Sequence, residues 1–432
     1  MKKRKRLLFP LVLTFFPFIG LRASADTTMY LSLSEAQLFA IEHNYTLQNA
    51  SLDVKMAEAA KWEVLSTMLP QVSGKFDYSN MCGYEMNFGM INVPMNPYGS
   101  LGVTASLAIS AQQITGALLS SISQQMSDVS YKKTQQSVRS NVKSIYVSIL
   151  VMSDILGLLD STLLNMQVLE RSTIESVKAG ASEQIVADQL SVQVAQLQNS
   201  INSNRRALKM LYNSMLLQLG ANVNTNIVLT STLDQIIDIE KAIVLTSDGM
   251  TLENNFDYQL LQHSERISKI QLTDSWLKFA PTITAFYQYS NKTYFGKDEG
   301  MNMTPPNMVG ASFSLPIFQS GSRIATIKKA KMSYQETQNV KHQTEDALMV
   351  QYNQLSFDLI NAIETYRIQK RNLEVSMRVF DNTTEKFKYG AASNLEVTNA
   401  SNDIITAQSN YVQAVLSVVS AQVELEKLLG IE

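Results

Sequence analysis

A short alternating stretch that occurs twice constrains this chain more than any other feature. Residues Pro70 to Asn80 read PQVSGKFDYSN, with Val72, Phe76 and Tyr78 on one side and Gln71, Ser73, Lys75, Asp77 and Ser79 on the other. A two-residue period puts successive side chains on opposite faces of a pleat, so this is a strand with one apolar and one polar face. Residues Pro281 to Asn291, PTITAFYQYSN, repeat the pattern 211 positions later, with Ile283, Ala285, Tyr287 and Tyr289 on one face. The same offset lays Glu42, Asn44 and Gln48 over Glu253, Asn255 and Gln259. The chain reads as a tandem duplication.

Each copy carries a second strand beyond a loop rich in Gly and Pro. In the first, Leu101, Val103, Ala105, Leu107, Ile109 and Ala111 alternate with Gly102, Thr104, Ser106, Ala108 and Ser110; in the second, Val309, Ala311, Phe313, Leu315 and Ile317 alternate with Gly310, Ser312, Ser314 and Pro316. The first loop, with Cys82, Gly83, Gly89, Pro94 and Pro97, reads as broken throughout. Strands of about ten residues with a continuous apolar face fit a membrane-spanning barrel. Four strands cannot close, since a barrel needs about eight to abolish its edges. The chain must therefore pack its sheet on something or complete a barrel with copies of itself.

Between the strands lie helices too long for a compact domain. No proline occurs from Gly116 to Lys178, and only Gly157 interrupts, which predicts one helix roughly 90 Å long. Gly180 supplies a left-handed stop, a return helix runs from about Ser182 to Leu219, and Gly220 ends it. Helices are also predicted at about Ser34–Leu69, Thr251–Phe279 and Ser322–Tyr389. In the last of these, Leu348, Tyr352, Leu355, Leu359, Ala362 and Tyr366 form a coiled-coil seam. Gly390 repeats Gly180, and Leu429-Gly430 repeats Leu219-Gly220, both at an offset of 210. The two shorter helices of each copy, placed end to end, approach the length of the long one, which would make a uniform helical wall. The expected division is 1–25 signal peptide, 26–220 first repeat, 221–250 linker and 251–432 second repeat.

The leader opens with Lys2, Lys3, Arg4, Lys5 and Arg6, runs through an apolar Leu7–Leu21 stretch holding Pro10 and Pro17, and closes on Ala23-Ser24-Ala25. That is the pattern of a secretory signal peptide. Asp26 stands where a lipid anchor would need cysteine. No later segment reads as a transmembrane helix. A net charge of −2 argues against a nucleic-acid partner, and the single Cys82 cannot form an internal disulfide. His43, His263 and His342 show no metal-ligand spacing, and neither a Gly-rich phosphate loop nor a Ser/His/Asp grouping is visible. The reading is of a chain that is not an enzyme and has no cofactor.

Several local stretches resemble the TolC-like outer-membrane efflux channels, over essentially the whole mature length. They are Leu31–Ala36 (LSLSEA), the helix-Pro-strand units at Pro70 and Pro281, Ser314–Phe318 (SLPIF) with Gly321, and the Lys388–Gly390 turn (KYG). The resemblance implies a mainly α fold with membrane β: long antiparallel α-helical coiled coils and four transmembrane strands per chain. It also implies a homotrimer with a shared twelve-stranded barrel in outer-membrane lipid and an α-helical tunnel in the periplasm of a Gram-negative envelope. Its partners would be a periplasmic adaptor, contacted at the tips around Gly180 and Gly390, and an inner-membrane transporter. Members carry a carboxylate six residues past the second turn glycine, and some another nine past it; here these positions are Glu396 and Asn399. With Asp403 they lie three and four apart on one helical stripe, an expected gate at the tunnel entrance. By the 210 offset the first copy carries Val186 and Gln189 there instead. Glu396 also reads as an ordinary helix-start carboxylate favoured by the dipole. Cys82 would face the cell exterior. An exported coiled-coil structural or adhesion protein with a soluble β domain is the alternative.

Overall fold

The computed structural model describes residues 28–87, 89–90, 92–247, 249–295 and 305–431; the leader read at 1–25 and most of the second outer loop lie outside the described residues. The first half runs β1 (Thr28–Leu31), α1 (Leu33–His43), α2 (Tyr45–Ser66), β2 (Gln71–Ser79), β3 (Glu85–Asn87), β4 (Asn92–Pro94), β5 (Tyr98–Ile109), α3 (Ala111–Lys178) and α4 (Gln184–Leu219). A middle segment adds β6 (Asn226–Leu229), α5 (Leu233–Ile236) and α6 (Ile239–Leu245). The second half holds α7 (Phe256–Leu277), β7 (Thr282–Tyr294), β8 (Asn307–Ser314), α8 (Ser322–Lys388) and α9 (Asn394–Leu429).

The four long strands form one antiparallel sheet in the order β2-β5-β7-β8, so β5 and β7 join the two halves. Its register matches like faces across every pair. Phe76 lies opposite Leu101, Val103 opposite Tyr289, Tyr287 opposite Val309 and Ile283 opposite Phe313. On the other face Ser73 meets Thr104, and Thr284 meets Ser312. The apolar face is bare in the single chain: Val72 is 70%, Phe76 71%, Val309 78% and Phe313 65% exposed. Among the described residues, β2 and β8 each have only one neighbour, leaving two open edges. The alternation read onward to Ile317 stops pairing at Ser314; Pro316 has no N–H to give a ladder.

The core lies in the helices. α3, of 68 residues, spans about 100 Å and packs against α2, α4, α7 and α9, while α8 packs against α7 and α9. Val147, Leu359, Val415 and Leu425 anchor one apolar cluster, Leu190, Phe380 and Ile404 a second, and Tyr146, Met215 and Leu219 a third. The predicted seam is buried at Leu348, Tyr352, Leu359, Ala362 and Tyr366, with Leu355 packed partly buried against it.

Four expectations need correction. The helix read from Ser34 to Leu69 breaks at Asn44, whose extended backbone (φ −65°, ψ 124°) separates α1 from α2. α3 begins at Ala111, five residues early, because the Ser110 amide donates to Gln113 Oε1 at 2.9 Å. The first outer loop is not wholly irregular, since β3 and β4 pair within it as a small hairpin. Finally, α3 does contain a window long and apolar enough to cross a membrane. That window supplies buried residues such as Val147, Val151 and Ile155 to the helical core, and apolarity on the buried side of a rod resembles a span.

Candidate functional site

Both helical hairpins turn the same way. After α3, the Ala181 amide donates to Ser176 O (2.8 Å) and the Gly180 amide to Val177 O (3.0 Å), with Gly180 at φ +75°. After α8, Ala391 donates to Lys386 O (2.9 Å) and Gly390 to Phe387 O (2.9 Å), with Gly390 at φ +70°. The long bond back across the turn is the six-to-one contact of a glycine-capped helix end. Lys178–Glu175 (2.8 Å) and Lys388–Glu385 (3.0 Å) occupy matching places one turn before each tip.

The return helices differ. α4 starts at Glu183 with no side-chain cap, whereas Ser393 caps α9: its Oγ accepts from the Glu396 amide (3.3 Å), and Glu396 Oε2 accepts from the Ser393 amide (2.6 Å) and hydroxyl (2.9 Å). These reciprocal bonds satisfy donors that a helix start otherwise leaves to water. The Ser393 amide, then its hydroxyl, holds the Glu396 carboxyl below its ordinary pKa. Glu396, Asn399 and Asp403 do share one exposed stripe of α9, backed by the buried Val397, Ala400 and Ile404. Asp403 lies along a groove between α8 and α9 with Arg371, Asn372, Ser376, Thr406 and Asn410. Asn394 Nδ2 donates to Gln189 Oε1 at 2.9 Å, tying the start of α9 to the first-half equivalent of Asn399. Gly180 and Gly390 stand at the two tips and touch neither stripe.

Sequence reasoning gave no role to a second matched pair. Asn44 Oδ1 accepts from the amides of Thr46 (2.8 Å) and Leu47 (3.2 Å), while its Nδ2 donates to Gln218 O (2.6 Å) at the end of α4. Asn255 Oδ1 accepts from the Tyr258 amide (3.0 Å), and its Nδ2 donates to Leu428 O (2.8 Å) at the end of α9. Each asparagine starts one short helix and holds the end of another, so α4 abuts α2 and α9 abuts α7. This is the end-to-end stacking that helix lengths suggested. Gly220 (φ +70°) and Gly430 (φ +68°) close the joints; a Cβ on either would overlap the carbonyl of His43 or of Asn254. The signal was present as an Asn pair offset by 211 and a Gly pair offset by 210, but only tertiary contact gives it meaning. Among the described residues no group of three His, Cys, Asp or Glu side chains is placed to hold a metal.

Residues 252–431 match the family model described as outer membrane efflux protein. A second model, serpentine type 7TM GPCR chemoreceptor Sri, matches residues 23–172. Within that range the described residues form β1 to β5, α1, α2 and most of α3, and only α3 could cross a membrane by length and composition, so a seven-helix bundle is not what this region folds into. No curated protein matches the chain by sequence. Among solved structures, the fold is similar to CusC (15% identity, TM-score 0.75, covering 93% of this chain and 92% of that one). It is similar to the CmeC outer membrane channel of Campylobacter jejuni (15%, 0.74, 92% and 85%) and to the outer membrane protein VceC of Vibrio cholerae (13%, 0.70, 92% and 96%). None of these matches supports the coiled-coil adhesion alternative.

Proposed function

We propose that the chain is a TolC-like outer-membrane efflux protein and that three copies form the exit duct of a multicomponent efflux or secretion system, a reading supported by the family model over residues 252–431 and by the shared fold. The matching family model is described as outer membrane efflux protein and the similar CmeC is an outer membrane channel, so the helical part of this chain is read as periplasmic. One observation carries the multi-copy reading, a four-stranded sheet with an exposed apolar face and two open edges, and the family resemblance supplies the number three. Unpaired backbone is intolerable in lipid, so β8 of one copy must pair with β2 of the next until the ring closes. The polar face, with Ser73, Thr104, Thr284 and Ser312, then lines the lumen.

In this arrangement the duct is two tandem repeats, 26–220 and 251–432, joined by an equatorial segment at 221–250. It conducts passively: an inner-membrane transporter supplies the energy, and a periplasmic adaptor grips the tips at Gly180 and Gly390. Three copies of the Glu396, Asn399 and Asp403 stripe form stacked polar rings at the entrance, favouring cations. The chemistry is transport, with no catalytic group and no cofactor. Light scattering of the protein purified in detergent tests the assembly. Three chains per particle are expected, and a clean monomer overturns the reading.

A further inference from the structure

We propose that the outer hairpin between β2 and β5 binds soft monovalent metal ions, Cu(I) and Ag(I). It carries Met81, Cys82, Met86, Met90 and Met95, five sulfur atoms in 15 residues, while the two strands it connects carry none. Sulfur is the soft donor of a protein and favours such ions over hard ones; thiolate also takes Zn(II), so the four neutral thioethers set the preference for Cu(I) and Ag(I).

The fold sets two of these donors on one face of the hairpin and orders the turn that carries a third. The Tyr84 amide donates to Met81 O at 3.1 Å across a turn in which Cys82 (φ +50°) and Gly83 (φ +81°) are both left-handed, and Asn80 Oδ1 accepts from the Cys82 amide at 2.9 Å. A non-glycine residue in that region is uncommon and here leaves the thiol exposed. In the ladder that follows, Met86 lies opposite Val93, and the Met95 amide donates to Tyr84 O at 3.0 Å. Met86 and Met95 therefore share one face as diagonal neighbours, with Cβ atoms about 7 Å apart. Unbranched thioethers with three rotatable bonds close that gap onto one ion. Met81 is 44%, Met86 37% and Met90 101% exposed, so these side chains are not filling a core within the chain.

Ion binding needs only the hairpin; its position outside the cell rests on the channel reading above. The test titrates the full-length protein, purified in detergent and nitrate buffer, with Ag⁺ by calorimetry. Wild type is expected to bind, Zn²⁺ in excess is expected not to compete, and Met86→Leu/Met95→Leu is expected to weaken binding at least tenfold. Leucine keeps the apolar volume, so a merely hydrophobic role would leave the affinity unmoved. Unchanged affinity in that double variant, or complete loss in Cys82→Ser alone, overturns the proposal, the latter by reducing the site to a single thiol. Bilayer conductance of the same preparations keeps the two readings apart. Conducting protein that ignores Ag⁺ sinks the metal site alone, and Ag⁺-binding protein that forms no channel sinks the duct alone.

Discussion

The two halves of the chain agree where the backbone needs a solution and diverge where only side chains are at stake. Gly180 and Gly390 close their turns with the same pair of hydrogen bonds, and Asn44 and Asn255 hold their neighbouring helix ends in the same way. One turn past each tip the likeness ends: Val186 and Gln189 stand where the second half has Glu396 and Asn399, and only α9 has a capped start. The two halves thus share joints and turns but start their return helices differently, with the uncapped Glu183 in one and the Ser393–Glu396 capping box in the other.

The comparison is most sharply tested at the joints. Gly220→Ala and Gly430→Ala should each destabilise by about 2–5 kcal/mol, from about 1–2 for a left-handed non-glycine residue and about 1–3 for overlap with the facing backbone. Gly180→Ala and Gly390→Ala, with open space around them, should cost only about 1–2 kcal/mol. Thermal unfolding in detergent orders the four, and joints that tolerate alanine as the tips do would break the likeness drawn between halves. Asn44→Ala and Asn255→Ala should follow at about 2–3 kcal/mol each, losing a cap and leaving a buried carbonyl without its donor. A large difference between those two would show that the joints are not equivalent.

At the tips the halves should part. Glu396→Ala with Asp403→Ala should lower single-channel conductance and cation preference in a planar bilayer, while Val186→Ala should do little; unchanged selectivity in the double variant would leave Glu396 as a cap and nothing more. Ser393→Ala should cost about 1 kcal/mol, and Glu183→Ala close to nothing, because only Ser393 accepts a first-turn amide. The same cap has a pH signature. The Glu396 carboxyl titrates below its ordinary value, so its contribution is present above the unfolded glutamate pKa of about 4.3 and is lost as pH falls through the lower folded one. Amide protection in the first turn of α9, but not of α4, should therefore fall on acidification, and equal behaviour of the two would contradict the asymmetry.

The sheet was legible in the sequence because a two-residue period over ten positions leaves little choice of face, as Val72, Phe76 and Tyr78 show. The tips were legible because Gly180 and Gly390 each follow a long run without proline. What escaped was decided at a distance. At Asn44 a local cap on the Thr46 and Leu47 amides combines with a bond to the Gln218 carbonyl, 174 residues away, and only the first half of that pair is written in the neighbouring sequence. The stripe of Glu396, Asn399 and Asp403 came from the family resemblance together with helical spacing, whereas the bond from Asn394 to Gln189 depends on how α4 and α9 meet. The sulfur-rich hairpin went unread because β3 and β4 are three residues each, too short for a period to declare itself.

The open edges at β2 and β8 make every copy answerable for its neighbours during biogenesis. A lone chain leaves a row of unpaired backbone groups along β2 and another along β8 that only a neighbouring strand can cover. In the proposed three-copy ring one faulty edge would spoil the whole closure. The yield of sound ducts from a mixed population then falls with the cube of the fraction of sound chains, so a defective allele would be dominant over a healthy one.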